Sequence, residues 1–157
     1  MDRVFEEEAV SEEEFAESFP LSVPLSDIED RGYERARDRI SVLRDDKAGR
    51  AYSSITFIKS DGSGRPTSSV QLLVGNYLSR EMSRHRTYMS ENGEEIDLDD
   101  VTAQFANRSE PLEDRLSEDW DQSIFEVSWQ GEESFYFLLG QEVEKDELLE
   151  LAGILID

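Results

Sequence analysis

Residues 124–143 read IFEVSWQGEESFYFLLGQEV, two apolar runs either side of a polar turn, and no other segment limits the possible folds so tightly. A strand alternates its side chains, so Phe125, Val127 and Trp129 are expected on one face. After the turn at Gln130–Ser134, Phe135, Phe137 and Leu139 are expected on one face of the return strand. Six large side chains facing one way bury about 12 kcal/mol of gross transfer energy at about 2 kcal/mol each, before conformational entropy is charged against it. The segment therefore reads as a core-building hairpin. Trp129 and Phe135 flank its turn, and with Tyr136 they are the candidate lining of a groove. Gly140 is expected to interrupt the return strand. The following EKDELLELAGIL changes to helical spacing, with Leu148, Leu151, Ala152 and Leu155 at i, i+3, i+4 and i+7. Glu144, Asp146 and Glu147 suit the positive end of that helix. The fold class that follows is α+β: antiparallel hairpins with a C-terminal helix packed on the sheet.

Other segments fit this frame. In AYSSITFIKSDGSGRPTSSVQLLVG, Ile55 and Phe57 share a face, as do Val70, Leu72 and Val74, around an Asp61-Gly62-Ser63-Gly64 turn. That glycine-rich turn lacks the lysine and the following helix of a phosphate-binding loop. Asn92-Gly93 predicts a second hairpin. Ser26 and Glu29 have capping-box spacing, which predicts a short N-terminal helix over 26–31. Ile40 and Val42 suggest a strand. Pro111, Leu112 and Leu116 fit a short helix after Ser109. Residues 1–18 hold eight acids, one arginine and few apolar positions, so they read as a flexible, solvated tail ahead of a single domain at 19–157, the alternative being an acidic amphipathic helix whose Val4, Phe5, Phe15 and Phe19 dock on a partner.

Charge is the other constraint. The chain has 157 residues and a net charge of −22, and 13 of its 16 basic residues are arginine. On a folded surface of about 8,000 Å² the mean spacing of net charges is about 19 Å, beyond the Debye length of about 8 Å at physiological salt. Average repulsion is therefore tolerable in ordinary buffer. The balance is like that of proteins adapted to concentrated salt. No cysteine is present, which excludes disulfides, thiolate metal sites and a cysteine nucleophile. No apolar run reaches the roughly 20 residues needed to cross a bilayer, and the acidic start is unlike a signal peptide. As it stands the chain reads as soluble and cytoplasmic, and as extracellular if it is part of a membrane-anchored protein.

Residues 76–90, NYLSREMSRHRTYMS, form the one segment that stands out as basic; Arg80, Arg84, His85 and Arg86 are the candidate patch for an anion or a partner, or for the molecule's own acids. A single histidine does not assemble the usual histidine metal site. Glu94, Glu95, Asp97, Asp99 and Asp100 crowd together but depart from the calcium-loop pattern, leaving at most a weak surface cation site. No nucleophile elbow, zinc-protease helix or dinucleotide fingerprint occurs, and no cofactor is implied.

The order of NGEEIDL, VSWQGEESFYFLLG and EKDELLELAGIL resembles the domain found at the C-terminal end of anti-sigma factors and sporulation proteins. Asn92, Gly93, Trp129, Tyr136, Gly140, Leu148, Leu149 and Ala152 fall at matching places, over roughly the last 70 residues. That family is similar in fold to lipoprotein-carrier domains. The resemblance implies a curved antiparallel sheet half-enclosing an apolar groove, a sensing or interaction role, and no catalytic residues. The expected function is a noncatalytic binding or regulatory domain with a salt-adapted surface. Its expected partner is a protein or a small apolar ligand, without direct nucleic-acid contact. A nucleic-acid mimic that engages a basic protein and a carboxylate-based hydrolase are the alternatives. If the acidity is an adaptation to salt, the melting temperature rises between low and multimolar potassium chloride; a flat or falling series contradicts that reading.

Overall fold

The computed structural model describes residues 6–19, 25–37, 39–45, 47, 49–78, 80–98, 101–107, 124–131 and 134–156, with backbone only at 80 and 81. The elements in chain order are β1 (Glu6–Val10), α1 (Glu12–Ser18), α2 (Ser26–Glu29), β2 (Glu34–Arg35), β3 (Ile40–Asp45), β4 (Arg50–Ser60) and β5 (Pro66–Gly75). They continue with α3 (Arg80–Asn92), β6 (Glu94–Leu98), β7 (Val101–Asn107), β8 (Ile124–Gln130), β9 (Phe135–Gln141) and α4 (Lys145–Ile156). The strands form one antiparallel sheet in the order β1-β3-β4-β5-β9-β8-β7-β6, with β2 pairing on β4 beyond the end of β3. The α+β class and the C-terminal helix are as expected. Residues 1–5, Pro20, Pro24 and the helix expected after Ser109 lie outside the described residues.

Two meanders meet at the centre. β5 pairs with β9 from Ser69↔Gln141 to Gly75↔Phe135. Between them the chain must travel from β5 to the far edge at β6 before returning through β7, β8 and β9. That distance is four strand spacings, about 19 Å. Helix α3 has 13 residues, about 20 Å at 1.5 Å each, and makes the journey across one face of the sheet. Met82, His85 and Met89 recur at helical spacing, and all three turn toward the sheet or are largely buried.

The opposite face carries the main core. Val42, Phe57, Val70, Leu72, Val74, Val127 and Leu138 line it, and Leu148, Leu151, Ala152 and Leu155 of α4 close over it as the spacing predicted. Tyr33 Oη donates to Glu147 Oε1 at 2.9 Å, tying α4 to the chain before β2. Burial, then the Glu147 bond and charge, push the Tyr33 phenol well above its ordinary pKa. Gly140 does not interrupt β9 but sits within it, opposite Val70 and Phe125. Its missing side chain makes room for the helix: a Cβ there would lie 3.0 Å from Leu148 Cδ1 and 3.0 Å from Val143 Cβ.

Four expectations are corrected. First, residues 6–18 are not a tail. β1 pairs along β3, and α1 buries Phe15 on the core, with Phe19 just beyond it. Second, the capping box belongs to Ser11 and Glu14 at the start of α1 (3.1 and 3.2 Å), whereas α2 starts without a side-chain cap. Third, Asn92-Gly93 closes α3 instead of turning a hairpin: Gly93 N donates to Met89 O at 2.8 Å, and a Cβ at 93 would lie 2.5 Å from that oxygen.

The fourth concerns the opening segment. Register pairs Trp129 with Tyr136, Val127 with Leu138 and Phe125 with Gly140, and places Phe135, Phe137 and Leu139 opposite Gln130, Ser128 and Glu126. The six side chains are therefore split three and three between the two faces, because β9 is a central strand covered on both sides. No helix of the described residues is long and apolar enough to cross a membrane. Replacing Gly140 with Val should destabilise the protein by about 2 kcal/mol or more through overpacking against Leu148 and Val143. Gly153→Ala, in open space on α4, should stabilise it by about 0.5–1 kcal/mol. Urea unfolding monitored by far-UV circular dichroism measures both.

Candidate functional site

Helix α3 covers only part of the face it crosses, and the side chains beneath change accordingly. Under it lie Phe137, Leu73 and Met82, flanked by half-buried Phe135, Leu139, Tyr52 and Leu78. Toward β1 the same face presents Gln71 on β5, Ser54 and Thr56 on β4, Ser41 and Leu43 on β3, and Glu7 on β1. The boundary is marked by Tyr52 edge-on to Tyr77 at 6.1 Å, with the Arg50 guanidinium 5.2 Å above Tyr77.

Beyond that boundary is a cleft of about 290 Å³. Ser41, Leu43, Ser54 and Thr56 contribute to its lining from β3 and β4, Glu7 from β1, and Ala36, Arg37 and Arg39 from the link between β2 and β3. The link is held by Ala36 N donating to Thr56 O at 2.8 Å. Ser54 Oγ accepts from Gln71 Nε2 at 2.8 Å, so its own hydrogen remains available to donate.

Two cations, Arg37 and Arg39, share this cleft. Five described cations meet carboxylates: Arg31 with Glu150 (2.9 Å), Arg35 with Glu29 (2.9 Å), Arg44 with Glu8 (3.1 Å), Lys59 with Glu147 (3.6 Å) and Lys145 with Glu94 (3.4 Å), while Lys47, Arg50, Arg65, Arg84 and Arg86 form no such pair with a described carboxylate. Among the described residues Arg37 and Arg39 have no carboxylate within ion-pair distance. In a chain with 38 acids and 16 bases, two guanidinium groups line this one depression together.

The residues singled out from sequence are dispersed. His85 turns inward: its Nδ1 lies 2.8 Å from Oε1 of Glu126, which is fully buried, and its ring is 5.8 Å from that of Phe137. An ionised carboxylate only accepts, so with Glu126 ionised Nδ1 carries the shared hydrogen. Arg86 lies 5.4 Å above the Phe135 ring, Arg84 is exposed, and the Arg80 side chain lies outside the described residues. Trp129 and Tyr136 stack in the core at 5.2 Å and 5°, both buried, and burial raises the Tyr136 phenol pKa against an opposing hydrogen bond to Ser134. Phe135 is on the other face, so Trp129, Phe135 and Tyr136 do not line one groove. Glu94 pairs with Lys145, and among the described residues no three of His, Asp or Glu gather as metal ligands.

Sequence reasoning passed over Arg37 and Arg39, although a signal was present. Residues 31–44 contain five arginines and two acids, a more basic balance than 76–90. Comparison with family models, with curated proteins and with solved structures gives no match.

The His85–Glu126 contact generates a test. Removing one member of a buried hydrogen-bonded pair takes that partner from the other inside the protein, which costs on the order of 3 kcal/mol, whereas replacing both with apolar residues is far less harmful. His85→Ala is expected to lose about that much in urea unfolding, and the double variant His85→Leu/Glu126→Met to recover at least half of it.

Proposed function

We propose that this chain is a noncatalytic binding domain that works through the uncovered part of the α3 face. The observation that carries this reading is the cleft over β3 and β4, where Arg37 and Arg39 line one depression together, neither paired with a described carboxylate, in an acid-rich molecule. A covered sheet face is finished interior; an uncovered one with a walled depression, hydroxyl groups and two guanidinium groups is a surface prepared for something polar. The resemblance to the domain of anti-sigma factors points to the same class of role, sensing or interaction. In this reading the sheet curves around a groove on β1, β3 and β4, not beside Trp129. The ligand is correspondingly polar, not the apolar molecule that an aromatic groove would have selected.

Carboxylate chemistry is given no part in this reading. Among the described residues Glu7 is the one carboxylate lining the cleft, and Glu126 is buried beneath α3, so no two described acids face a common space there as paired acid–base hydrolysis requires.

The test is an NMR screen of the full-length, isotopically labelled chain against small polar metabolites. Binders should move the amide signals of Ser41, Ser54 and Thr56 together, leave Leu151 and Trp129 in place, and be recovered chemically unchanged. Binders that shift the α4 side instead, or that are converted on incubation, would overturn the proposal.

A further inference from the structure

We infer that the cleft receives a small polyol bearing one oxyanion, as in a sugar phosphate or a sugar acid, with the oxyanion on Arg37 and Arg39 and the hydroxyl groups on Ser41, Ser54, Thr56 and Glu7. This rests on the reading of the cleft as the binding surface and goes on to name the chemistry it selects.

Among the described residues, the charges that line the cleft are two guanidinium groups and one carboxylate. Guanidinium is always protonated and offers paired donors that match the oxygens of a carboxylate or phosphate. A single oxyanion therefore satisfies the two arginines. Glu7, when ionised, can only accept hydrogen bonds; it welcomes a hydroxyl donor and repels a second anionic group. Ser54 has its acceptor side occupied by Gln71 and its hydrogen free to donate, while the Ser41 and Thr56 hydroxyls also line the space. Hydroxyl groups on the ligand have both donors and acceptors to meet, and Leu43 and Ala36 supply a modest apolar surface for its carbon skeleton.

Size and the surrounding field narrow the choice further. At about 290 Å³ the cleft lies at the small end of ligand sites, which run from about 300 to 1,000 Å³. A nucleic acid would extend over acidic surface, on a molecule of net charge −22. A small anion seated in the cleft is within contact range of the arginines, while acids more than a Debye length of about 8 Å away are largely screened. The arrangement thus favours one localised negative charge over a string of them.

The experiment is a calorimetric titration of the full chain with four probes: glucose 6-phosphate, gluconate, glucose and inorganic phosphate, each followed in parallel by NMR. One of the two charged sugars should bind at least tenfold more tightly than glucose and than inorganic phosphate, and which of them does so distinguishes tetrahedral from planar oxyanion recognition. Arg37→Gln and Arg39→Gln should each weaken that binding roughly tenfold, equivalent to about 1.4 kcal/mol, with melting temperatures unchanged because neither side chain is buried or in an ion pair with a described residue. Glucose binding as tightly as the charged sugars, inorganic phosphate binding as tightly as either, or indifference to both arginine substitutions would overturn the inference. Cleft signals that respond to neutral or cationic metabolites but not to these anions would sink this inference alone. Cleft signals that respond to no small molecule would remove the binding reading with it.

Discussion

The pairing of β5 with β9 is the contact on which the rest depends. It joins residues about 70 positions apart, so the loop entropy spent on closing it must be recovered from burial. Both strands are suited to that task because both faces are covered. Leu72 and Val74 meet Leu138 and Tyr136 beneath α4, while Leu73 meets Phe137 beneath α3. Such strands carry near-continuous apolar runs, QLLV and FYFLL, in place of strict alternation. This is why assigning Phe135, Phe137 and Leu139 to the same face as Phe125, Val127 and Trp129 fails. Period-two logic holds within β8, where polar residues separate the apolar ones, but it does not say which set of β9 faces which layer.

Joining two meanders at their middle strands also dictates what α3 must do. The chain leaves β5 at the centre and must reach the edge strand β6, so a helix long enough to span four strands lies across half of one face and leaves the other half open. The side chains on that face follow the boundary: Phe137, Leu73 and Leu139 inside it, Gln71, Ser54, Thr56 and Ser41 outside it. Part of the basic character of α3 is absorbed by this role, although Arg84 stays exposed. His85 is spent on buried Glu126 and Arg86 on the Phe135 ring. The cations that line the cleft come from the link before β3, on the part of the sheet that α3 does not reach.

What could be read from the sequence divides along the same physical lines. The β4–β5 hairpin and the α4 stripe were legible because each declares itself through local periodicity and turn chemistry. The N-terminal strand and helix were not, since EEEAVSEEEFAES is mostly exposed and is held by a few large residues, Val10, Phe15 and Phe19, whose partners are far away in sequence. Locally it is marked by the SEEE capping pattern at Ser11–Glu14 and by the spacing of Phe15 and Phe19, which fits an amphipathic helix as well as a tail. Asn92-Gly93 misled for a related reason: glycine serves a helix end as well as a hairpin, and the choice rests on the Met82, His85 and Met89 spacing before it. The cleft was illegible as a cleft, because Glu7, Arg37 and Ser54 come together only through strand order; the run of arginines over 31–44 was nevertheless visible as an anomaly of charge.

The acidity itself has a structural distribution. Both edges of the sheet are lined with carboxylates, Glu6, Glu7 and Glu8 on β1 and Glu94, Glu95 and Asp97 on β6. An open sheet exposes unpaired backbone groups at its edges and would add a strand from a second molecule unless something opposed it; like charges along the edge do so. On β1 the three acids also divide by pleat. Glu6 and Glu8 face the side of Arg44, to which Glu8 is paired, while Glu7 turns to the opposite face and borders the cleft. The edge that keeps a second sheet away is thus the same element that sets a carboxylate opposite Arg37 and Arg39. For the proposed anionic ligand, the same acids that protect the edge disfavour approach along it, because like charges repel within a Debye length of about 8 Å.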